Sequence, residues 1–149
     1  MPLSAYRKSS FYTMRTDALD RFGTRLEQRF TRAQIEKMMR DAGLDTEWQV
    51  IYGREEFFNA TKLMHNALQG APTDLSDDDW EVWERYNEMN ARELTEGWDY
   101  CVVHDPQPAA LRTLVPEKAN SWVWRCHIDL STPNRPTLDR LLPFLGGYD

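Results

Sequence analysis

Apolar positions recur along this chain at two spacings, and the changes between them set out its elements. Behind Thr31, a good N-cap, Ile35, Met38, Met39 and Ala42 follow at helical spacing, and Gly43 stands where a glycine ends a helix. This predicts a helix over 31–42, with Met38 and Met39 as core filler. The polar stretch before it predicts a short helix around Thr16–Gln28. Trp48–Tyr52 is a β-rich run ending at Gly53 and predicts a strand. Phe57, Ala60, Met64 and Leu68 recur at three and four, predicting a helix over Arg54–Leu68 that Gly70 closes, with a loop over Ala71–Leu75. Ser76 then caps a helix running to about Gly97, in which Trp80, Trp83 and Tyr86 or Asn87 share a face. Asp77, Asp78 and Asp79 fill its first turn, where anions suit the helix dipole; capping, rather than a metal site, accounts for that triplet.

The second half changes period. Tyr100–Val103 is a near-continuous apolar strand, the pattern expected when both faces of a sheet are covered. Pro106 and Pro108 punctuate it, and a helix fits Pro108–Leu114. Trp122–Cys126 reads as the next strand and Pro133–Phe144 as a helix, with Pro136 and Pro143 near its ends. Helices alternating with strands imply βαβ crossovers. The fold class is α/β: a Rossmann-like layered domain with a short, mostly parallel sheet, incomplete at its N-terminal edge. The exposed edge and uncovered apolar surface of such a sheet predict self-association into a homo-oligomer.

Composition narrows the classes. The chain has 149 residues, 41% hydrophobic and 12% aromatic with six Trp, which excludes disorder. No run approaches the ~18 apolar residues of a membrane span, and MPLSAYRKSSFYTMR lacks the apolar core of a secretory signal. Cys101 and Cys126 have no metal-type spacing, so a reducing, cytoplasmic setting is expected. A net charge of −6 argues against a nucleic-acid partner. That sum hides a split: residues 1–43 carry nine Lys/Arg against five Asp/Glu, and residues 44–149 carry nine against nineteen. Two segments of different origin, 1–43 and 44–149, are expected.

Candidate chemistry follows from where α/β sheets bind ligands, beyond the carboxyl ends of their strands. One strand ends in His104-Asp105-Pro106-Gln107 and the other in Arg125-Cys126-His127-Ile128-Asp129; His65-Asn66, late in a helix, is a third polar cluster. Imidazole, carboxylate and carboxamide groups on one rim suit sugar hydroxyls, which donate and accept together. Each group also has a plain structural use. His65 could satisfy a backbone carbonyl, His104 and His127 could be strand-end structural histidines, Asp105 could cap the next helix, and Arg125 could equally form a buried ion pair or bind an anion. No helical or ribbon spacing supports zinc, and no phosphate-cradling glycine motif occurs.

The stretches EFFNATKLMHNALQG (Glu56–Gly70), VVHDPQPAAL (Val102–Leu111), WVWRCHIDLSTPN (Trp122–Asn134) and FLGGYD (Phe144–Asp149) resemble the trehalose synthase branch of retaining GT-B glycosyltransferases. That resemblance covers about Trp48 to Asp149. It implies transfer of glucose from a nucleoside-diphosphate glucose to free glucose with retention, without metal or cofactor. It places this chain on the acceptor side of the cleft, with His65, Asn66, Asp105, Gln107, Arg125 and His127 binding sugar. His104 would bind a sugar hydroxyl at the reacting centre, and Asp129 would orient the acceptor hydroxyl. The family's Gly-rich loop and its nucleotide-binding domain have no counterpart here, so the chain is expected to be inactive alone. Residues 1–43 are similar to the tail of a class I S-adenosylmethionine-dependent methyltransferase. A non-catalytic interaction or folding module is the alternative to a glycosyltransferase fragment, and a methyltransferase fragment is the third possibility.

Overall fold

A computed structural model describes residues 30–149, and the helix expected at Thr16–Gln28 lies outside the described residues. The chain divides between Trp48 and Gln49 into two units.

In the first unit, α1 (Arg32–Asp41) forms as its sequence directs. Thr31 and Gln34 make a reciprocal capping box, and Gly43 follows the helix at φ 82°. Its ion pairs, Arg32–Glu36 and Lys37–Asp41, are exposed i,i+4 contacts on the solvent face. The expected core role of Met38 and Met39 is not met. Both are exposed, and α1 buries no residue, because among residues 30–48 no second element covers its apolar stripe.

The second unit holds α2 (Glu55–Leu68), α3 (Asp77–Glu93), β1 (Trp98–His104), α4 (Leu111–Leu114), a 3-10 turn (Pro116–Lys118), β2 (Ala119–Arg125) and α5 (Arg135–Leu145). Its main core gathers Phe57, Met64 and Leu68 of α2, Trp80, Trp83 and Tyr86 of α3, and Leu141 of α5 with Ala109, Ala110 and Ile128. Trp83 meets Trp80 and Phe144 edge to face, with ring centroids 5.5 and 4.9 Å apart. Ser76 and Asp79 form the capping box that starts α3, so the acidic triplet serves the helix end as expected. A second cluster of Ala91, Val103, Leu111, Ala119 and Trp122 joins α3 to the strands.

Trp48–Tyr52 is not a strand. Asn90 takes the place of a strand partner: its Oδ1 accepts from Tyr52 N–H at 2.6 Å and its Nδ2 donates to Tyr52 O at 2.9 Å. One side chain thus satisfies backbone groups that a ladder would otherwise have paired. α3 ends at Glu93 rather than near Gly97, and Leu94 is extended. The expected helix from Pro108 shortens to Leu111–Leu114 because residues 105–110 form a turn in which side chains take the carbonyls of Asp105, Pro106, Gln107 and Ala109.

β1 and β2 pair in parallel, with Tyr100 opposite Ser121, Val102 opposite Val123 and His104 opposite Arg125. The covered-on-both-faces expectation fails for this pair. Val103 is buried, whereas Tyr100 is 70% and Val102 50% exposed, so one sheet face is open. The closing FLGGYD stretch folds back on the strands. Tyr148 Oη donates to Ala109 O at 2.9 Å, and Asp149 N–H donates to Trp122 O at 2.8 Å.

Candidate functional site

Because β1 and β2 run parallel and adjacent in this register, both carboxyl ends fall on one rim. His104 and His127 stack there with centroids 5.5 Å apart and planes 18° from parallel. Asp105 sits between the strand ends. Its carboxylate accepts from His127 backbone N–H at 2.8 Å and meets His127 Nδ1 at 3.0 Å. Arg125 contacts the opposite ring nitrogen, Nε2.

These contacts select one state of the His127 ring. A carboxylate only accepts, so Nδ1 carries the proton; a guanidinium only donates, so Nε2 is the acceptor. The neutral form of this ring therefore carries its proton on Nδ1. The same geometry settles two structural uses left open by the sequence. Asp105 is not a helix cap: α4 follows Ala110 with no side-chain cap. Arg125 is exposed rather than part of a buried ion pair.

Asp105 has φ 66°, the only positive φ at a non-glycine among the described residues. A left-handed conformation at such a residue costs about 1–3 kcal/mol and persists only where its surroundings enforce it. Here it aims the carboxylate across at His127.

His104 has a pKa lowered from its ordinary 6.5 by partial burial and by the positive fields of His127 and Arg125, with Asp105 opposing. A neutral imidazole offers a donor and an acceptor together. The direction of the shift sets a pH dependence. The unfolded chain takes up a proton at His104 first, so stability is present above 6.5 and is lost as pH falls below it toward the depressed folded value. Replacing Arg125 with Gln removes one positive field and should raise the pKa of His104; NMR titration of the ring checks the sign.

The other sequence-derived candidates are placed differently. Asp129 accepts from Ser131 N–H at 2.8 Å and from the Ser131 hydroxyl, which hold its pKa below the usual 3.8; this is a local turn one step beyond the histidine cluster. His65 is half-buried and Asn66 exposed near the end of α2. Their helix end abuts the loop that follows His127, with Asn134 N–H donating to Ala67 O at 2.9 Å. At Gly70, with φ 90°, a Cβ would stand 2.7 Å from Thr132 O, so only glycine permits that approach. Gln107 contributes its carbonyl to Asn87 at 2.9 Å. Burial pushes the Cys101 thiol up to about 11 and raises that of Cys126 as well, which leaves both thiols poor nucleophiles. Among the described residues no cluster of His, Cys, Asp or Glu is placed to hold a metal, and no helix is long and apolar enough to cross a membrane.

Sequence reasoning missed three residues that hold this rim: Trp83, Asn87 and Trp124. Asn87 left a signal, a carboxamide on the apolar face of α3, where it lies buried.

Fold and rim together define a class, a Rossmann-like α/β layer presenting imidazole, carboxylate and guanidinium groups where two parallel strands end. The family model for the trehalose synthase N-terminal domain matches residues 31–149, and the chain belongs to that family, half of a GT-B fold. A trehalose synthase of Rubrobacter xylanophilus is 49% identical over 117 residues, 75% of this chain and 28% of the relative. A trehalose synthase of Pyrococcus horikoshii is 45% identical over 114 residues, and one of Thermococcus litoralis 46% over 115, each covering 75% of this chain and 27% of the relative. The chain thus spans little more than a quarter of the length of these relatives. The matched range takes in α1 and leaves out residues 1–30.

Proposed function

We propose that this chain is the acceptor-side, sugar-recognising part of a retaining glycosyltransferase that forms trehalose from a nucleoside-diphosphate glucose and glucose, and that it is inactive alone. The observation that carries this is the single rim on which His104, Asp105, Arg125 and His127 meet. In the proposed reaction the bond from glucose C1 to the leaving phosphate oxygen breaks and a bond from C1 to the acceptor oxygen forms. The departing phosphate takes the acceptor's proton. His104 hydrogen-bonds a sugar hydroxyl, His127 does so at Nε2 when the sugar displaces the Arg125 contact, and Asp129 orients the acceptor hydroxyl. Asp105 and Arg125 set the state of His127, while His65, Asn66 and Gln107 border the sugar. None of these rim groups is assigned to the leaving diphosphate, whose charge needs stabilising groups of its own.

Both thiols are free, which suits a cytoplasmic setting. The charge split at residue 43 supports a separate origin for residues 1–43, of which 31–43 fall within the family match. A non-catalytic module would leave the strained aspartate at the rim without a use, and the methyltransferase possibility draws largely on residues outside the described range.

A coupled assay with nucleoside-diphosphate glucose and glucose should give no trehalose from this chain, while saturation-transfer NMR should detect glucose or trehalose bound at millimolar concentration. Robust turnover would contradict the expected inactivity. Absence of any sugar signal would contradict the recognition role.

The open face around Tyr100 and Val102 supports self-association. Light scattering should show species larger than a monomer that decline when Val102 is replaced by Lys; a clean monomer at high concentration would contradict this.

A further inference from the structure

The turn after β1 is gripped by side-chain donors on three consecutive carbonyls. Trp124 Nε1 donates to Asp105 O at 2.9 Å, Trp83 Nε1 to Pro106 O at 3.1 Å, and Asn87 Nδ2 to Gln107 O at 2.9 Å. On the other side of Asp105, its own N–H donates to Arg125 O at 2.9 Å. The two peptide planes flanking a Cα define its φ and ψ. At Asp105 both planes are anchored, one by the strand partner and one by the Trp124 indole. Trp124 can reach because it lies opposite Val103 in the strand register, one step before the rim.

We propose that Trp124 is a positioning residue for the sugar rim. Its indole N–H holds the Asp105–Pro106 peptide in the orientation that aims the Asp105 carboxylate at His127, which keeps the ring proton on Nδ1 and leaves Nε2 as the acceptor. Trp83 and Asn87 extend the same grip along the turn. The use of this device rests on the proposed sugar recognition, but the device itself is read without any sugar.

The decisive comparison is Trp124→Phe against Trp98→Phe in the full chain. Trp98 Nε1 donates to Thr95 Oγ1 at 2.9 Å at the opposite end of the same strand pair, so its variant loses the same group away from the rim. Two readouts follow the Asp105 carboxylate directly: hydrogen exchange at the His127 amide, which the carboxylate accepts, and the His127 ring tautomer from nitrogen NMR shifts. Trp124→Phe should speed exchange at His127 by about tenfold or more, the scale on which a lost protecting hydrogen bond is read. It should also raise the fraction of ring carrying its proton on Nε2. Exchange at Gly97, bonded to Lys118 O at the far end of the sheet, should stay unchanged. Trp98→Phe should leave both His127 readouts as in the parent.

If Trp124→Phe does not fold, benzothienylalanine at position 124 keeps the ring shape while replacing the N–H with sulfur, and the same changes are expected. Parent-like exchange and tautomer in a folded chain lacking the N–H would overturn the proposal. A glucose titration of the parent runs alongside: absence of binding there would remove the sugar reading and leave the positioning result intact.

Discussion

Replacing Trp83 with Ala should destabilise the second unit by about 3–5 kcal/mol, the range for deleting a large aromatic from a packed core. Trp83 is 0% exposed, and its ring is met edge on by Trp80 and Phe144. Its indole also donates to Pro106 O at 3.1 Å, so truncation strips a partner from the turn that carries Asp105. A domain of this size has about 5–15 kcal/mol in total, so the loss is a large share of it. Trp83→Phe keeps most of the packing and removes the N–H, and should cost about 0.5–1.5 kcal/mol, since Pro106 O loses one hydrogen bond and keeps the other, from Ala109 N–H at 3.3 Å. Urea unfolding followed by circular dichroism measures both. Equal stability of Trp83→Ala and the parent would mean that the core is not centred on this residue.

The second large effect is expected at Asp105. Asp105→Ala removes the acceptor of His127 Nδ1 and of the His127 amide, and places a residue poorly suited to φ 66° at the strained position. Sugar binding should weaken by about tenfold or more, the scale of losing a hydrogen bond to a charged group. Asp105→Gly separates the two roles. Glycine adopts the left-handed conformation freely, so this variant should be more stable than Asp105→Ala by about 0.5–1 kcal/mol while binding sugar equally weakly. Parallel stability and affinity measurements on the pair check this. Recovered affinity in Asp105→Gly would show that backbone strain, rather than the carboxylate, governs the rim.

The parts of the fold legible in the sequence were those set by local chemistry. Thr31 and Ser76 announce their capping boxes, Gly43 ends α1 in the left-handed region, and the apolar recurrence from Phe57 to Leu68 marks α2. The elements misread were those decided by distant partners. Trp48–Tyr52 has strand composition, but a single side chain 38 residues away, Asn90, satisfies the Tyr52 backbone instead. The helix expected from Pro108 starts three residues later because side chains of α3 and β2 claim the preceding carbonyls. Tyr100 and Val102 look like a buried strand in one dimension, since hydrophobicity does not say whether an element packs over each face.

The candidate site was legible as two strand-end motifs, because parallel neighbours must deliver their carboxyl ends to the same edge. Its internal wiring was not. The contacts of Asp105 with His127 depend on a positive φ, uncommon outside glycine, that no local motif here announces. The Ser131 bonds to Asp129 are short-range and could have been anticipated from an Asp two residues before a Ser.

The most direct test of the account is a residue-resolved glucose titration of the chain, following the ring and backbone signals of His104 and His127 by NMR. The account predicts saturable shifts at His104, His127 and the neighbouring Asp105 turn, weakened in Asp105→Ala and absent from Gly97 at the far end of the strand pair. Unchanged signals at the rim at high millimolar glucose and trehalose, in a folded chain, would contradict it.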